Sequence, residues 1–132
     1  MTQNASATFE ITGWDEKPYE EFDGGRKLTR AQVKKTFQGD ITGESTLEYL
    51  MCYDEAGAAT FVGLERLVGR IGDRKGSCVL QHNGTFVDGV ADEIWSVVPG
   101  SGTGALAGLQ GKGKGSFGHE PPHVFKLTYG FE

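Results

Sequence analysis

The chain has 132 residues, enough for one domain with a single core and no need of stabilising cross-links. Its formal net charge is −5 with no basic patch to offset it, which argues against nucleic-acid binding. The first residues lack the apolar core of a secretory signal, and no apolar run reaches the ~20 residues of a membrane span. The two cysteines, Cys52 and Cys78, lack CxxC spacing, so a cytoplasmic protein with two buried thiols is expected.

The chain alternates apolar and polar residues with a period of two, and no segment sustains a helical period. The polar N-terminus, residues 1–7, is predicted to fray, and Pro18–Gly25 to form an acidic connection. A helix is allowed only at Ala105–Leu109. Strands are predicted, in order, at Thr8–Trp14, Leu28–Phe37, Ile41–Tyr53, two strands between Phe61 and Phe86, then Glu93–Val98, Leu109–Phe117 and His123–Glu132.

Matching the apolar faces of neighbouring strands predicts their register. A three-residue loop, Gln38–Asp40, keeps one face of the second and third strands apolar and sets Val33 opposite Ser45. A five-residue loop after the third strand then sets Tyr49 opposite Gly63.

The chemically distinctive segment is the hairpin predicted between Phe61 and Phe86. Alternation places Glu65 on its apolar face, and His82 shares that face if the turn holds an even number of residues. A loop centred on Asp73-Arg74 sets the two side chains directly opposite, and a turn shifted by one residue sets them diagonal. Both arrangements are within side-chain reach. Because a buried carboxylate is costly unless it is paired, Glu65 and His82 are predicted to be partners. They are the candidate catalytic pair if a cavity lies beside them, and otherwise a buried acid and imidazole that satisfy each other inside the core.

The whole chain, residues 1–132, is predicted to be one all-β domain. An antiparallel sheet of eight strands most simply avoids exposed edges by closing, which predicts an eight-stranded, mainly antiparallel barrel. Glycines on the inner side of Leu109–Phe117 indicate room inside for one small ligand. The predicted ligand-binding wall consists of Tyr49, Cys78, Leu80, Phe125 and Tyr129.

Two glycine-rich segments and one pair of histidines partly match the sequence motifs of nucleotide, phosphate and metal sites, but lack the structure that those motifs require. Gly100–Ala105 fits a loose dinucleotide fingerprint but lacks the long helix that gives the pattern meaning. Gly108–Gly115 approaches a phosphate loop, but glycine replaces the residue whose hydroxyl binds magnesium. His119 and His123 have helical ligand spacing, but the two prolines between them exclude the helix. No metal site is predicted.

The chain from Phe37 onwards resembles an uncharacterised bacterial family of small barrels, through the segments FQGDITGEST, FVGLERLVGRIG, GSCVLQHNGTF, VVPGSGTGALAGLQGKG and VFKLTYGF. That family is grouped by fold with the allene-oxide-cyclase-like barrels, alongside the plant dirigent proteins. The resemblance covers roughly three quarters of the chain, and QHNGTF and PGSGTGAL are its most specific parts. It implies an eight-stranded antiparallel barrel, usually oligomeric, with no cofactor and no established activity. The catalytic residues of the enzymes of this fold have no match here.

Three functions follow from these observations. The favoured one is binding of a small apolar molecule inside the barrel, with the polar pair holding its head group. The alternative is a cofactor-free isomerase or cyclase, in which Glu65 is the general acid or base, His82 orients or exchanges the proton, and a tyrosine hydroxyl stabilises an oxyanion. The third is a solid barrel that serves only in assembly, against which the glycine-lined strand argues.

A homo-oligomer, with a dimer favoured, is expected. The outer side of the central hairpin keeps more apolar residues than a solvated face requires, namely Val62, Leu64, Val68 and Val79.

Overall fold

The computed structural model describes residues 2–132, which form nine antiparallel strands. A three-residue 3₁₀ turn, Asp23–Gly25, joins the first two strands. Among residues 2–132, no helix has the length and apolar character needed to cross a membrane. The strands are β1 (Gln3–Glu21), β2 (Lys27–Gly39), β3 (Ile41–Tyr53), β4 (Ala59–Ile71), β5 (Arg74–Val87), β6 (Val90–Val97), β7 (Thr103–Gly104), β8 (Leu109–Phe117) and β9 (His123–Phe131).

Eight of these strands close into a barrel. Each of the strands β1 to β5 pairs with the strand that follows it in the chain. Strand β6 pairs with β8, β8 pairs with β9, and β9 pairs with β1 to close the barrel. The two-residue β7 lies beside β5 as an extra strand. The predicted all-β, eight-stranded antiparallel barrel is confirmed, and closure leaves none of the eight strands as an open edge.

Strand β1 is longer than predicted at both ends. The expectation that residues 1–7 fray is overturned from Gln3 onward, because Gln3–Ala7 pairs with Phe125–Tyr129 and its two alanines are buried. Met1 lies outside the described residues. The predicted acidic connection at Pro18–Gly25 is shorter than expected, since β1 continues to Glu21.

A bulge in β1 changes which of its residues point inward. The register shifts between Ile11 and Gly13, so that Thr12 has no partner on β2. Before the bulge Phe9 is buried. After it Trp14 pairs with the buried Val33, which brings the indole to one end of the barrel.

The register of β2 against β3 differs from the prediction by two residues. Val33 pairs with Leu47 and not with Ser45, so the predicted loop at Gln38–Asp40 is wrong. A shift of two preserves the side-chain alternation, and the same residues therefore face the core. The predicted pairing of Tyr49 with Gly63 is confirmed.

The central hairpin has the predicted faces and turns at Gly72-Asp73. Ile71 pairs with Arg74, which sets Glu65 opposite Leu80 and His82 opposite Gly63. Of the two arrangements that the sequence allows, the structure has the diagonal one.

Aromatic rings on the inner face lie across glycines of the neighbouring strand. Trp95 pairs with Gly113, where an added Cβ would lie 2.2 Å from the Lys126 carbonyl oxygen and 2.4 Å from Trp95 Nε1. The room left by Gly113 is therefore filled by Trp95, which is 2% exposed. The expectation that this glycine-lined strand leaves space for a ligand is overturned there. The same arrangement pairs Tyr49 with Gly63 and Phe61 with Gly84.

We expect Gly113→Ala to lower the free energy of unfolding by roughly 1–3 kcal/mol, because backbone and indole must both move to admit the methyl group. Urea denaturation measures the change. Gly118→Ala is the matched control, since no atom lies within 4 Å of a Cβ built there. Equal stability of Gly113→Ala and the parent protein would contradict this packing.

Candidate functional site

The site is centred on His82, on the inner face of β5. His82 pairs with Gly63 of β4 on one side and with Trp95 of β6 on the other. Because β4 and β6 run in the same direction, Glu65, two residues after Gly63, lies on one side of the ring along the barrel. Glu93, two residues before Trp95, lies on the other side. One imidazole is thus placed between two carboxylates from different strands.

Both ring nitrogens of His82 contact a carboxylate, and we call these three residues the Glu–His–Glu bridge. The Nε2 atom lies 2.7 Å from Oε1 of Glu65, and the Nδ1 atom lies 2.6 Å from Oε1 of Glu93. The Ser45 hydroxyl donates to Oε2 of Glu65 at 2.5 Å, and Lys35 Nζ lies 3.8 Å from the same oxygen. Glu65 is fully buried and His82 is 1% exposed.

These contacts determine the charge of the group. A short contact between a ring nitrogen and a carboxylate oxygen needs one hydrogen, so the bridge holds two protons in its two contacts. Two carboxylates and one imidazole with two protons carry a net charge of −1, wherever each proton resides. The ammonium of Lys35 brings the four side chains to neutrality.

The same contacts shift the pKa values of the bridge. Burial alone would raise the pKa of Glu65, but the charge of Lys35 and the hydrogen bonds from His82 and Ser45 outweigh it and lower the pKa to about 2. Burial would lower the pKa of His82, but its hydrogen bonds to Glu65 and Glu93 and their charges raise it above the ordinary value. Both shifts favour an imidazolium between two carboxylates over a neutral imidazole beside a protonated carboxyl group.

Burial and the charges of Glu93 and Glu65 raise the pKa of Tyr49 well above its usual value. The phenol therefore keeps its proton, and its hydroxyl lies 3.4 Å from Oε2 of Glu93 as a donor. Burial and the charge of Glu65 also raise the pKa of Cys78 to about 11, so the thiol is a poor nucleophile.

A cavity of about 380 Å³ opens at the end of the barrel where β4 and β6 begin. Three polar side chains from the interior reach its wall, those of Lys35, Tyr49 and Glu93. Glu93 is thus the member of the Glu–His–Glu bridge that lines the cavity, and His82 and Glu65 lie behind it. The remaining wall is largely aromatic and includes Phe9, Trp14, Phe61, Phe86 and Phe117.

The structure brings together only some of the residues predicted from the sequence. Glu65 and His82 are in contact, and Tyr49 lines the cavity. The other residues predicted to bind ligand are buried elsewhere in the core and are absent from the wall of this cavity. These residues are Cys78, Leu80, Phe125 and Tyr129.

Sequence reasoning missed Glu93 and Lys35. Lys35 follows the inward Val33 at the next inward position of β2, and Glu93 precedes the inward Trp95 in the same way. A charged residue at an inward position of an alternating strand was the signal that could have found both.

The histidines near the rim do not form a metal site. His123 Nε2 lies 3.1 Å from the Gly118 carbonyl oxygen, and the His123 ring stacks on Phe9 with centroids 5.4 Å apart. Within residues 2–132 no group of three or more histidine, cysteine or acidic side chains is placed to hold a metal ion. In the Glu–His–Glu bridge the carboxylates lie at opposite edges of the ring and do not converge on one point.

Fold and site define a small all-β barrel protein with a largely aromatic cavity at its end and a buried acid–imidazole–acid contact behind it. The chain belongs to the family described as "Protein of unknown function (DUF3224)", whose model matches residues 5–129. It is similar to the crystal structure of a protein with unknown function from that family in Shewanella oneidensis MR-1. The two are 30% identical with a TM-score of 0.81, covering 100% of this chain and 99% of the other. Among curated proteins, none matches this chain significantly.

We expect the free energy of unfolding to be greatest between about pH 5 and 6.5 and to fall on both sides. Because the folded-state pKa of Glu65 is lowered from 4.5 to about 2, its contribution is complete above pH 4.5 and is lost as the pH falls toward 2. The loss is on the order of 3 kcal/mol. Because the pKa of His82 is raised above 6.5, its contribution is complete below that pH and is lost as the pH rises through the folded-state pKa. Urea denaturation at a series of pH values measures both limbs.

His82→Leu should remove the alkaline limb and lower the free energy of unfolding by roughly 3–5 kcal/mol, because two buried carboxylates lose their partner. His119→Leu, at an exposed position, is the control and should leave the profile unchanged. If the free energy of unfolding of the parent protein is constant from pH 6 to 9, the raised pKa assigned to His82 is wrong, whatever the variants show.

Proposed function

We propose that this protein binds a small, largely apolar molecule in the cavity at the end of the barrel. The observation that carries this proposal is a cavity of about 380 Å³ with an aromatic wall, three polar groups from the interior, Lys35, Tyr49 and Glu93, and two histidines near the rim, His119 and His123. Sites for small molecules commonly combine an apolar enclosure with a few placed polar groups. The rings bury the body of the ligand, and the polar groups orient its head.

The cavity is held in its binding shape before any ligand arrives. Glu93 is fixed by its contact with His82, which lowers the cost of ordering the head-group contact. At the rim, Trp14 donates through Nε1 to Glu16 at 3.1 Å, and Glu16 also accepts from Thr29 at 2.7 Å and from Tyr53 at 2.5 Å. These bonds orient an indole that is 48% exposed over the entrance.

We expect the uncharged fluorescent probe N-phenyl-1-naphthylamine to bind the parent protein with enhanced emission, and Ala91→Trp to abolish that binding by filling the cavity. Ala91 lines the cavity, whereas Ala107 is exposed and outside it, so Ala107→Trp is the matched control. Fluorescence titration measures the affinity. Binding that survives Ala91→Trp unchanged would show that the probe occupies another site and would overturn the proposal.

The alternative is a cofactor-free isomerase or cyclase. It is favoured by one observation, that a chain of proton-sharing contacts runs from Glu65 through His82 to Glu93 and ends at the cavity. In this mechanism Glu93 accepts a proton from a carbon of the ligand, and the electron pair of the broken C–H bond moves onto a ligand oxygen. Glu93 then returns the proton to a different carbon. His82 and Glu65 are positioning residues that hold the charge of Glu93.

For this alternative, the parent protein should catalyse exchange of the acidic α-hydrogens of 2-tetralone in D₂O, followed by NMR. Glu93→Gln keeps the shape but removes the base, so it should reduce the exchange by at least about 100-fold while retaining ligand binding. If the parent protein binds 2-tetralone but exchanges its hydrogens no faster than buffer alone, the enzyme alternative is wrong and the proposal of binding stands.

We also propose that the protein is a homodimer. Val62, Leu64 and Val68 are 48%, 56% and 46% exposed on the outer face of β4, while Val79 of β5 is partly buried. Two shallow outer depressions, of about 740 and 910 Å³, share Val62. Positively and negatively charged side chains border this surface. A second copy of the same surface can therefore place opposite charges against them. Light scattering should give twice the monomer mass, and a monomer at micromolar concentration would end the proposal.

A cytoplasmic location is part of the same proposal. Cys78 is buried, as predicted, but Cys52 is exposed, so the prediction of a buried thiol is wrong there. Both are free thiols, as is usual for a reducing compartment. Recovery of the protein in the periplasmic fraction of its host would contradict it.

A further inference from the structure

Lys35 has capacity for hydrogen bonding that its protein contacts do not use. Its side chain is 6% exposed and lines the cavity. Its Nζ lies 3.8 Å from Oε2 of Glu65, which is longer than a hydrogen bond, and 4.4 Å from the centre of the Phe9 ring. An ammonium carries three N–H donors and no acceptor. At least one donor is therefore available to a molecule in the cavity.

The charge of the site restricts that molecule. The Glu–His–Glu bridge carries −1 and Lys35 carries +1, so the buried group is already neutral. A charged ligand would bring an uncompensated charge against an aromatic wall, where desolvation costs several kcal/mol per ion. An uncharged ligand avoids this cost.

The chemistry of Lys35 also specifies the head group. A carbonyl oxygen offers two lone pairs and carries no hydrogen, so it satisfies a donor-only ammonium without leaving a donor of its own unpaired among apolar rings. An apolar body with no acceptor would leave the ammonium unsatisfied when it displaced water from the cavity.

We infer that the ligand is an uncharged carbonyl compound with an apolar, ring-containing body, whose oxygen accepts a hydrogen bond from Lys35 Nζ. This inference rests on the proposed binding function and names its ligand class. It applies equally to the enzyme alternative, since the same ammonium lies where it can stabilise the oxygen that gains charge when a neighbouring carbon loses a proton.

Three ligands with one fused-ring body test the inference. They are tetralin, which has no polar group, 2-tetralone, which has a carbonyl, and 1,2,3,4-tetrahydro-2-naphthoate, which has a carboxylate. Calorimetry and quenching of the tryptophan fluorescence measure each affinity. We expect 2-tetralone to bind the parent protein at least about tenfold more tightly than tetralin, as a hydrogen bond from a charged donor allows. The carboxylate should bind more weakly than the ketone.

Lys35→Met should abolish the preference for the ketone over tetralin, because it keeps the length and apolar contacts of the side chain without its donors. Lys34→Met, at the adjacent outward position, should keep the preference. The comparison of ligands on the parent protein stands even if Lys35→Met does not fold.

The outcomes separate this inference from the function on which it rests. Equal affinities for tetralin and 2-tetralone in the parent protein would overturn the role of Lys35 and leave apolar binding intact. Tighter binding of the carboxylate would overturn the charge argument. Failure of all three ligands and of the naphthylamine probe to bind would reject the binding function itself.

Discussion

One imidazole held between two carboxylates is the interaction on which the interior of this barrel depends. Each of these groups is buried, and a buried charge without a partner costs several kcal/mol. His82 satisfies Glu65 and Glu93 at the same time, and Ser45 and Lys35 complete the contacts of Glu65. The group thereby connects five consecutive strands, β2 to β6. Removal of His82 takes a hydrogen-bond partner from both carboxylates at once.

The interior differs on the two sides of this bridge. On the side of Glu65, an apolar cluster packs the barrel interior, with Leu67, Leu80 and Leu109 each 1% exposed. On the side of Glu93, the aromatic rings line the cavity. The bridge lies between the two, so its polar atoms are shielded on one side and reach a ligand-sized cavity on the other. This asymmetry is why Glu93, and not Glu65, is the carboxylate that lines the cavity.

The sequence predicted the features that depend only on alternation. The inward faces of β4 and β5, the contact of Glu65 with His82 and the pairing of Tyr49 with Gly63 follow from a period of two and short turns. Closure into a barrel followed from the number of strands and their antiparallel connections. These predictions are insensitive to a register shift of two residues, as the β2–β3 pair demonstrates.

Other features depend on distances between strands that alternation does not give. The bulge at Thr12 changes the inward set of β1, and a single extra residue has no clear signal in a polar segment. The glycines of β8 suggested an empty interior because the sequence does not say that the Trp95 ring lies across Gly113. Glu93 was missed because it meets His82 only when β6 is placed beside β5 in one register.

The protonation of the His82 ring tests the central claim most directly. Long-range ¹H–¹⁵N correlation spectra separate the ring nitrogens of the three histidines and report whether each carries a hydrogen. We predict that both nitrogens of the His82 ring remain protonated at pH 7.5. A His82 ring with one bare nitrogen at pH 7.5 and a midpoint near 6.5 would contradict the bridge and the site built on it.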